Sequence, residues 1–175
     1  MDNSGKANAA PMLKVKLLHP DATLPTVAYP GDDLGYDLYA IEDVTLHPGK
    51  PVKVRTGIAV EGPPGYGFIL GDRSSMAAKG VTYAGGRIDG GYRGELLVCL
   101  ININQPEFRL RAARNEADEV VDIVLEQTDV SISIRKGDKI VQLSPFAAMT
   151  GGEVVVVDEL SPSERGQKGF GSSGR

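Results

Sequence analysis

The residues best suited to chemistry sit beside glycines. Asp89 stands between apolar Ile88 and the pair Gly90-Gly91. A carboxylate at the end of such a glycine-shaped hairpin could act on water as a general base, and the same Asp-Gly pattern also serves as an ordinary turn. Tyr92 follows the glycines closely, so its ring could approach a ligand or fill a core or barrel rim. Arg73-Ser74-Ser75 brings a guanidinium, two hydroxyls and main-chain N–H groups to the point where a short strand meets a helical turn. That set can cradle phosphate or simply cap the turn. Gln142 lies in the apolar stretch 140–143, where an unpaired amide would be costly. Asp37, in Gly35-Tyr36-Asp37-Leu38, fits a structural carboxylate at a strand edge. Phe170, between Gly169 and Gly171 in a polar tail, has no core to join, which favours stacking on a ligand.

The elements that must position these residues are strands. Runs of β type at 12–18, 38–46, 51–60, 66–70, 95–103, 139–146 and 154–157 are separated by Gly- and Pro-rich turns. This rhythm predicts an all-β barrel or sandwich. Stretch 95–103 (ELLVCLINI) is nearly all apolar and is expected to be buried on both faces. Only 74–79 and 107–121 offer helical patterns, the second through its Arg, Ala and Glu content. Of the 22 glycines, ten fall within 62–94 and four within 166–174, consistent with loops shaped around a ligand or with turns alone.

Composition removes several alternatives. The 175 residues suit one domain. A net charge of −4 argues against a general nucleic-acid or anionic-membrane binder, and no apolar run approaches the ~20 residues of a membrane span. The single Cys99 excludes an intrachain disulfide and favours a reducing, cytoplasmic setting. With one Cys and two His, a zinc site of the usual ligands is nearly excluded. Residues 1–11 read as a disordered lead without the order of a secretory signal, 12–160 as the β domain, and 161–175 as a mobile tail.

Five segments, in order, resemble the trimeric dUTP pyrophosphatase (dUTPase) family: 31–40 (GDDLGYDLYA), 71–80 (GDRSSMAAKG), 85–102 (GGRIDGGYRGELLVCLIN), 136–143 (KGDKIVQL) and 165–174 (RGQKGFGSSG). The resemblance implies a jelly-roll-like antiparallel β-barrel with at most one short helix, assembled as a homotrimer with active sites shared between subunits. It implies hydrolysis of dUTP to dUMP and pyrophosphate, which limits uracil in DNA and supplies dUMP for dTMP synthesis. Asp89 would orient the water that attacks the α-phosphorus. Gly86, Arg87 and Ile88 would read uracil through main-chain groups, and Tyr92 would pack under the deoxyribose. Arg73, Ser74, Ser75 and Gln142 would hold phosphates. Arg165 would act like an arginine finger, Phe170 would stack over uracil, and Gly171, Ser172 and Ser173 would complete the closing tail. The cofactor implied is Mg²⁺, held chiefly by phosphates and water, with Asp37 reached through water.

The chain departs from the family pattern at Leu34, Asp72, Tyr83 and Gly91, none of which removes an expected catalytic group. A larger departure is an insert within 105–135, similar to that of some phage dUTPases, which offers a place for a protein partner. The related dCTP deaminases place their deaminating glutamate ten residues after the hairpin aspartate. Here that position is Cys99, expected to be a buried thiol, which argues against deamination. A binding module without catalysis is the other alternative, disfavoured by the complete candidate set.

Overall fold

The computed structural model describes residues 13–148, 151–159 and 161–163. Among them are thirteen strands and one four-residue helix. β1 (Lys14–Leu17) pairs with β5 (Ile58–Glu61), and β3 (Val44–Leu46) with β12 (Ile132–Ile134). β4 (Val52–Arg55), β9 (Leu97–Asn102) and β7 (Val81–Ala84) form a three-stranded sheet in that order. β2 (Tyr36–Tyr39), β13 (Lys139–Ala147), β6 (Tyr66–Asp72) and β8 (Arg87–Ile88) form a four-stranded one. β10 (Phe108–Arg114) pairs only with β11 (Val120–Gln127). Every strand pair is antiparallel, and α1 (Ser74–Ala77) is a single turn. The expected antiparallel all-β class with one short helix holds.

One core unites all the sheets except β10–β11. Leu38, Leu46, Val54, Ile58, Phe68, Leu100, Ile134 and Leu143 come from eight strands and are all at most 2% exposed. Buried Asn102 is fully satisfied: its amide donates to Leu46 O at 3.0 Å and Val130 O at 2.8 Å, and its Oδ1 accepts from Asn104. It thereby joins the chain's departure into the insert to its return, so the insert leaves the core intact.

Four sequence expectations change. Stretch 107–121 is not helical. It holds β10, a turn and the start of β11, because Asn115 Oδ1 accepts from the Ala117 and Glu119 N–H groups and Asp118 takes φ +62°. That local turn and the β-branched run after it outweigh the helix propensity of Arg, Ala and Glu. Stretch 95–103 is buried on one face only: Val98, Leu100 and Asn102 face the core, while Leu97 is 47% exposed and Cys99 and Ile101 are half-buried. Stretches 38–46 and 51–60 each divide into two strands, the second at Gly57, whose φ is +68°. Residues 154–157 form no strand and are exposed, having no paired neighbour among the described residues.

Candidate functional site

Glycines shape the hairpin around Asp89. Gly85 has φ +68°, and a Cβ on Gly86 would lie 2.1 Å from the Tyr83 ring. At this point the chain leaves the β4–β9–β7 sheet and joins the other, with Ile88 opposite Phe68 and Arg87 opposite Ile69. Leu70 N–H donates to Gly86 O at 2.7 Å, which fixes the crossing. A Cβ on Gly90 would lie 1.9 Å from the Tyr66 carbonyl oxygen, so only glycine allows the following turn, closed by Tyr92 N–H donating to Asp89 O at 2.9 Å.

This arrangement encloses a cavity of about 240 Å³ lined by Arg87, Ile88, Asp89, Tyr92 and Glu95 among others. Asp89 is exposed, and Tyr92 is 47% exposed. The core-tyrosine alternative for Tyr92 is thus removed. A carboxylate beside a half-open pocket of mixed polar and apolar lining can accept a proton from a water held there. A larger cleft, about 590 Å³, opens between the β3–β4 turn and the base of the insert, with His47, Lys50, Asn104 and Asp129 in its lining. It contains none of the candidate residues.

A second cluster gathers around Asp37. Arg73 Nε donates to its Oδ1 at 2.9 Å, Gln142 Nε2 to the same oxygen at 3.3 Å, and Lys139 Nζ to Oδ2 at 2.8 Å. Sheet register explains the meeting: β13 lies between β2 and β6, so Gln142 faces Asp37 on one side and Gly71 on the other. Arg73 Nη1 also donates to Ser75 Oγ and to Lys139 O, both at 3.2 Å. Burial opposes ionisation of Asp37, yet the Lys139 hydrogen bond, the Arg73 and Lys139 charges and Gln142 together hold its carboxyl below the usual range. Lys139, raised chiefly by its bond to Asp37, also lies 5.8 Å over the Tyr39 ring. Arg73 enters α1 in extended conformation, and Met76 and Ala77 N–H donate to its carbonyl. Ser74 and Ser75 are exposed at this turn.

Among the described residues no group of three or more His, Cys, Asp or Glu forms a metal site. A Mg²⁺ carried mainly by phosphates needs none. Asp37 fits the outer role: three of its roughly four acceptor positions are taken, leaving one for a water.

The structure brings Arg87, Ile88, Asp89 and Tyr92 together, with Gly86 beside them, and separately unites Asp37, Arg73, Ser75 and Gln142. The 240 Å³ cavity includes none of the second group. Arg165, Phe170, Gly171, Ser172 and Ser173 lie outside the described residues. Cys99 is half-buried, not buried, opposite Lys53 and Ala84, and lines no part of the cavity. Sequence reasoning missed Lys139 and Glu95. A lysine opening an apolar strand and a glutamate just before β9 were the available signals.

Comparison with known proteins extends these local features. The dUTPase family model matches residues 20–121. The deoxyuridine 5'-triphosphate nucleotidohydrolase of Thermobifida fusca is 38% identical over 165 residues, covering 93% of this chain and 78% of that protein. A mutant dUTPase of Staphylococcus bacteriophage 80alpha with dUpNHpp superposes with TM-score 0.76 at 35% identity, covering 93% of this chain and 98% of that one. A mutant dUTPase from phage phi11 of S. aureus, described for its coordination of a structural Mg(II) ion, gives TM-score 0.68 at 28% identity over 86% of this chain and 99% of that one. The matched span runs through the Asp37 strand, the Arg73 turn and the Asp89 hairpin in a single order, and the likeness covers nearly the whole chain: it belongs to the dUTPase family.

Proposed function

We propose that the protein is a dUTP diphosphatase that cleaves dUTP between its α and β phosphates, giving dUMP and pyrophosphate. The observation that carries this reading is the glycine-shaped cavity with Asp89 and Tyr92 on its rim and Gly85, Arg87 and Ile88 at its wall. Asp89 accepts a proton from the water that attacks the α-phosphorus, and the pyrophosphate leaves. Main-chain groups at Gly86, Arg87 and Ile88 pair with the uracil edge and mismatch cytosine, which can discriminate by ~10⁴ or more. Tyr92 packs beneath the deoxyribose. Arg73, Ser74, Ser75 and Gln142 take the phosphates, with Asp37 holding Arg73 and Gln142 in place.

Mg²⁺, when bound, neutralises triphosphate charge, and Asp37 reaches it through water. Arg165, Phe170, Gly171, Ser172 and Ser173 close the site. The separation of the hairpin cavity from the Asp37 cluster supports a homotrimer in which one subunit's hairpin meets another's phosphate cradle. The setting is cytoplasmic, in a host cell for a phage-type member, and the reaction keeps uracil out of DNA while supplying dUMP for dTMP synthesis. The insert, exposed along β10 and β11, is the surface we assign to a protein partner.

Pyrophosphate release from dUTP, dCTP, dTTP and UTP, with and without Mg²⁺, tests the reading. Turnover is expected for dUTP with Mg²⁺ and to be at least about 10³-fold lower for the others. Ammonia release from dCTP, or comparable turnover of UTP, would overturn it.

A further inference from the structure

Tyr92 is held by a residue that the catalytic reading leaves idle. Its hydroxyl donates to the main-chain oxygen of Glu95 at 3.1 Å. Its ring lies across Gly94, where a Cβ would stand 2.4 Å from that hydroxyl. Glu95 is itself anchored at its other end. Oε1 accepts from Gly57 N–H at 2.8 Å and from Arg55 Nε at 3.2 Å, while Oε2 accepts from Arg55 Nε at 3.2 Å and Nη2 at 3.1 Å. Gly57 cannot turn away: its φ is +68°, and a Cβ there would meet Ala22 Cβ at 2.9 Å. Thr56 Oγ1 donating to Leu96 O, and Leu96 N–H to Ile58 O, tie the same corner to the same segment.

The segment from Asp89 to Glu95 contains Gly90, Gly91 and Gly94, and glycines carry the largest backbone freedom. A tyrosine on such a loop needs an external tether to hold a fixed surface against a ligand. Charged hydrogen bonds from Arg55 supply it at roughly twice the strength of neutral ones. We propose that Glu95 is a specificity-positioning residue: it clamps Tyr92 against the sugar so that a 2′-hydroxyl finds no room. This rests on the dUTP reading above and adds to it the element that enforces deoxyribose selectivity.

The test compares kcat/KM for dUTP and UTP in the full chain and in Glu95→Gln, Arg55→Gln and Tyr92→Ala. Glu95→Gln and Arg55→Gln are each expected to raise the UTP-to-dUTP ratio about tenfold, and in Arg55→Gln, whose side chain lies outside the cavity lining, kcat on dUTP should be little changed. A purely structural role would lower both nucleotides together and leave the ratio constant, which refutes the proposal. If Tyr92→Ala relaxes selectivity and neither clamp variant does, the assignment of Glu95 is wrong and the functional reading stands. If Tyr92→Ala keeps full selectivity, Tyr92 does not read the sugar and the clamp proposal fails while dUTP hydrolysis stands; if the unaltered protein fails to turn over dUTP, the functional reading itself fails. Should Glu95→Gln not fold, Arg55→Gln probes the same clamp from a side chain that is 42% exposed.

Discussion

β9 and β11 each carry five apolar residues, LVCLIN and VVDIVLEQ, and have opposite fates. β9 lies between β4 and β7 and alternates, with Val98, Leu100 and Asn102 buried. Among the described residues β11 pairs only with β10, and all eight of its residues are exposed. On one face of that hairpin Leu110 opposes Leu125 and Ala112 opposes Ile123, with no covering layer among the described residues. The other face holds Arg109 opposite Glu126, and the diagonal Arg111–Glu126 pair at 2.9 Å is solvent-exposed and of small worth. Burial is conferred by neighbours, not by composition. The wall of the fold can hold a site rigid, whereas the β10–β11 hairpin of the insert packs against nothing beyond its own two strands among the described residues.

Activity should separate the two regions most sharply. Asp89→Asn is expected to cost about 10²–10⁴-fold in turnover while largely sparing nucleotide binding. Leu125→Asp in the insert should leave turnover unchanged. Pyrophosphate release together with binding of a non-hydrolysable dUTP analogue measures both, and retained turnover in Asp89→Asn would remove it as the base.

Stability gives a second separation. Leu100→Ala, at a site 1% exposed, should destabilise by about 2–5 kcal/mol. Leu125→Ala, 61% exposed, should stay within about 0.5 kcal/mol. Denaturant unfolding compares them directly. Equal losses would mean that the insert's apolar face is covered in solution.

The smallest effect concerns pH. Asp37 has its folded carboxyl lowered, so its contribution is present above the unfolded value of about 3.9 and fades as pH falls through the folded one. The melting-temperature gap between the unaltered protein and Asp37→Asn should therefore be widest near neutrality and narrow below about pH 4. A gap that does not depend on pH would sever Asp37 from its ion pairs with Arg73 and Lys139.

Much of the hairpin and of the strand-to-turn junction is legible in the sequence. Gly90, Gly91 and Tyr92 mark a hairpin able to approach a ligand, and Arg73-Ser74-Ser75 marks a strand-to-turn junction. Turn chemistry is local, so sequence reports it well. The insert misled because helix propensity is a weak prior that one asparagine-anchored turn overrides. Stretch 95–103 misled because an apolar run looks alike whether one face or both are buried.

The amino-acid sequence by itself determined the family pattern, the all-β class and the identity of the chemical groups, since motif order, alternation and turn residues are properties of adjacent positions. Only the tertiary structure decided that Asp37 joins Arg73, Lys139 and Gln142, and that Glu95 reaches back to Arg55 and Gly57. These partners lie between 36 and 105 positions apart. Their meeting depends on how antiparallel strands stack in register, which no local run of residues records.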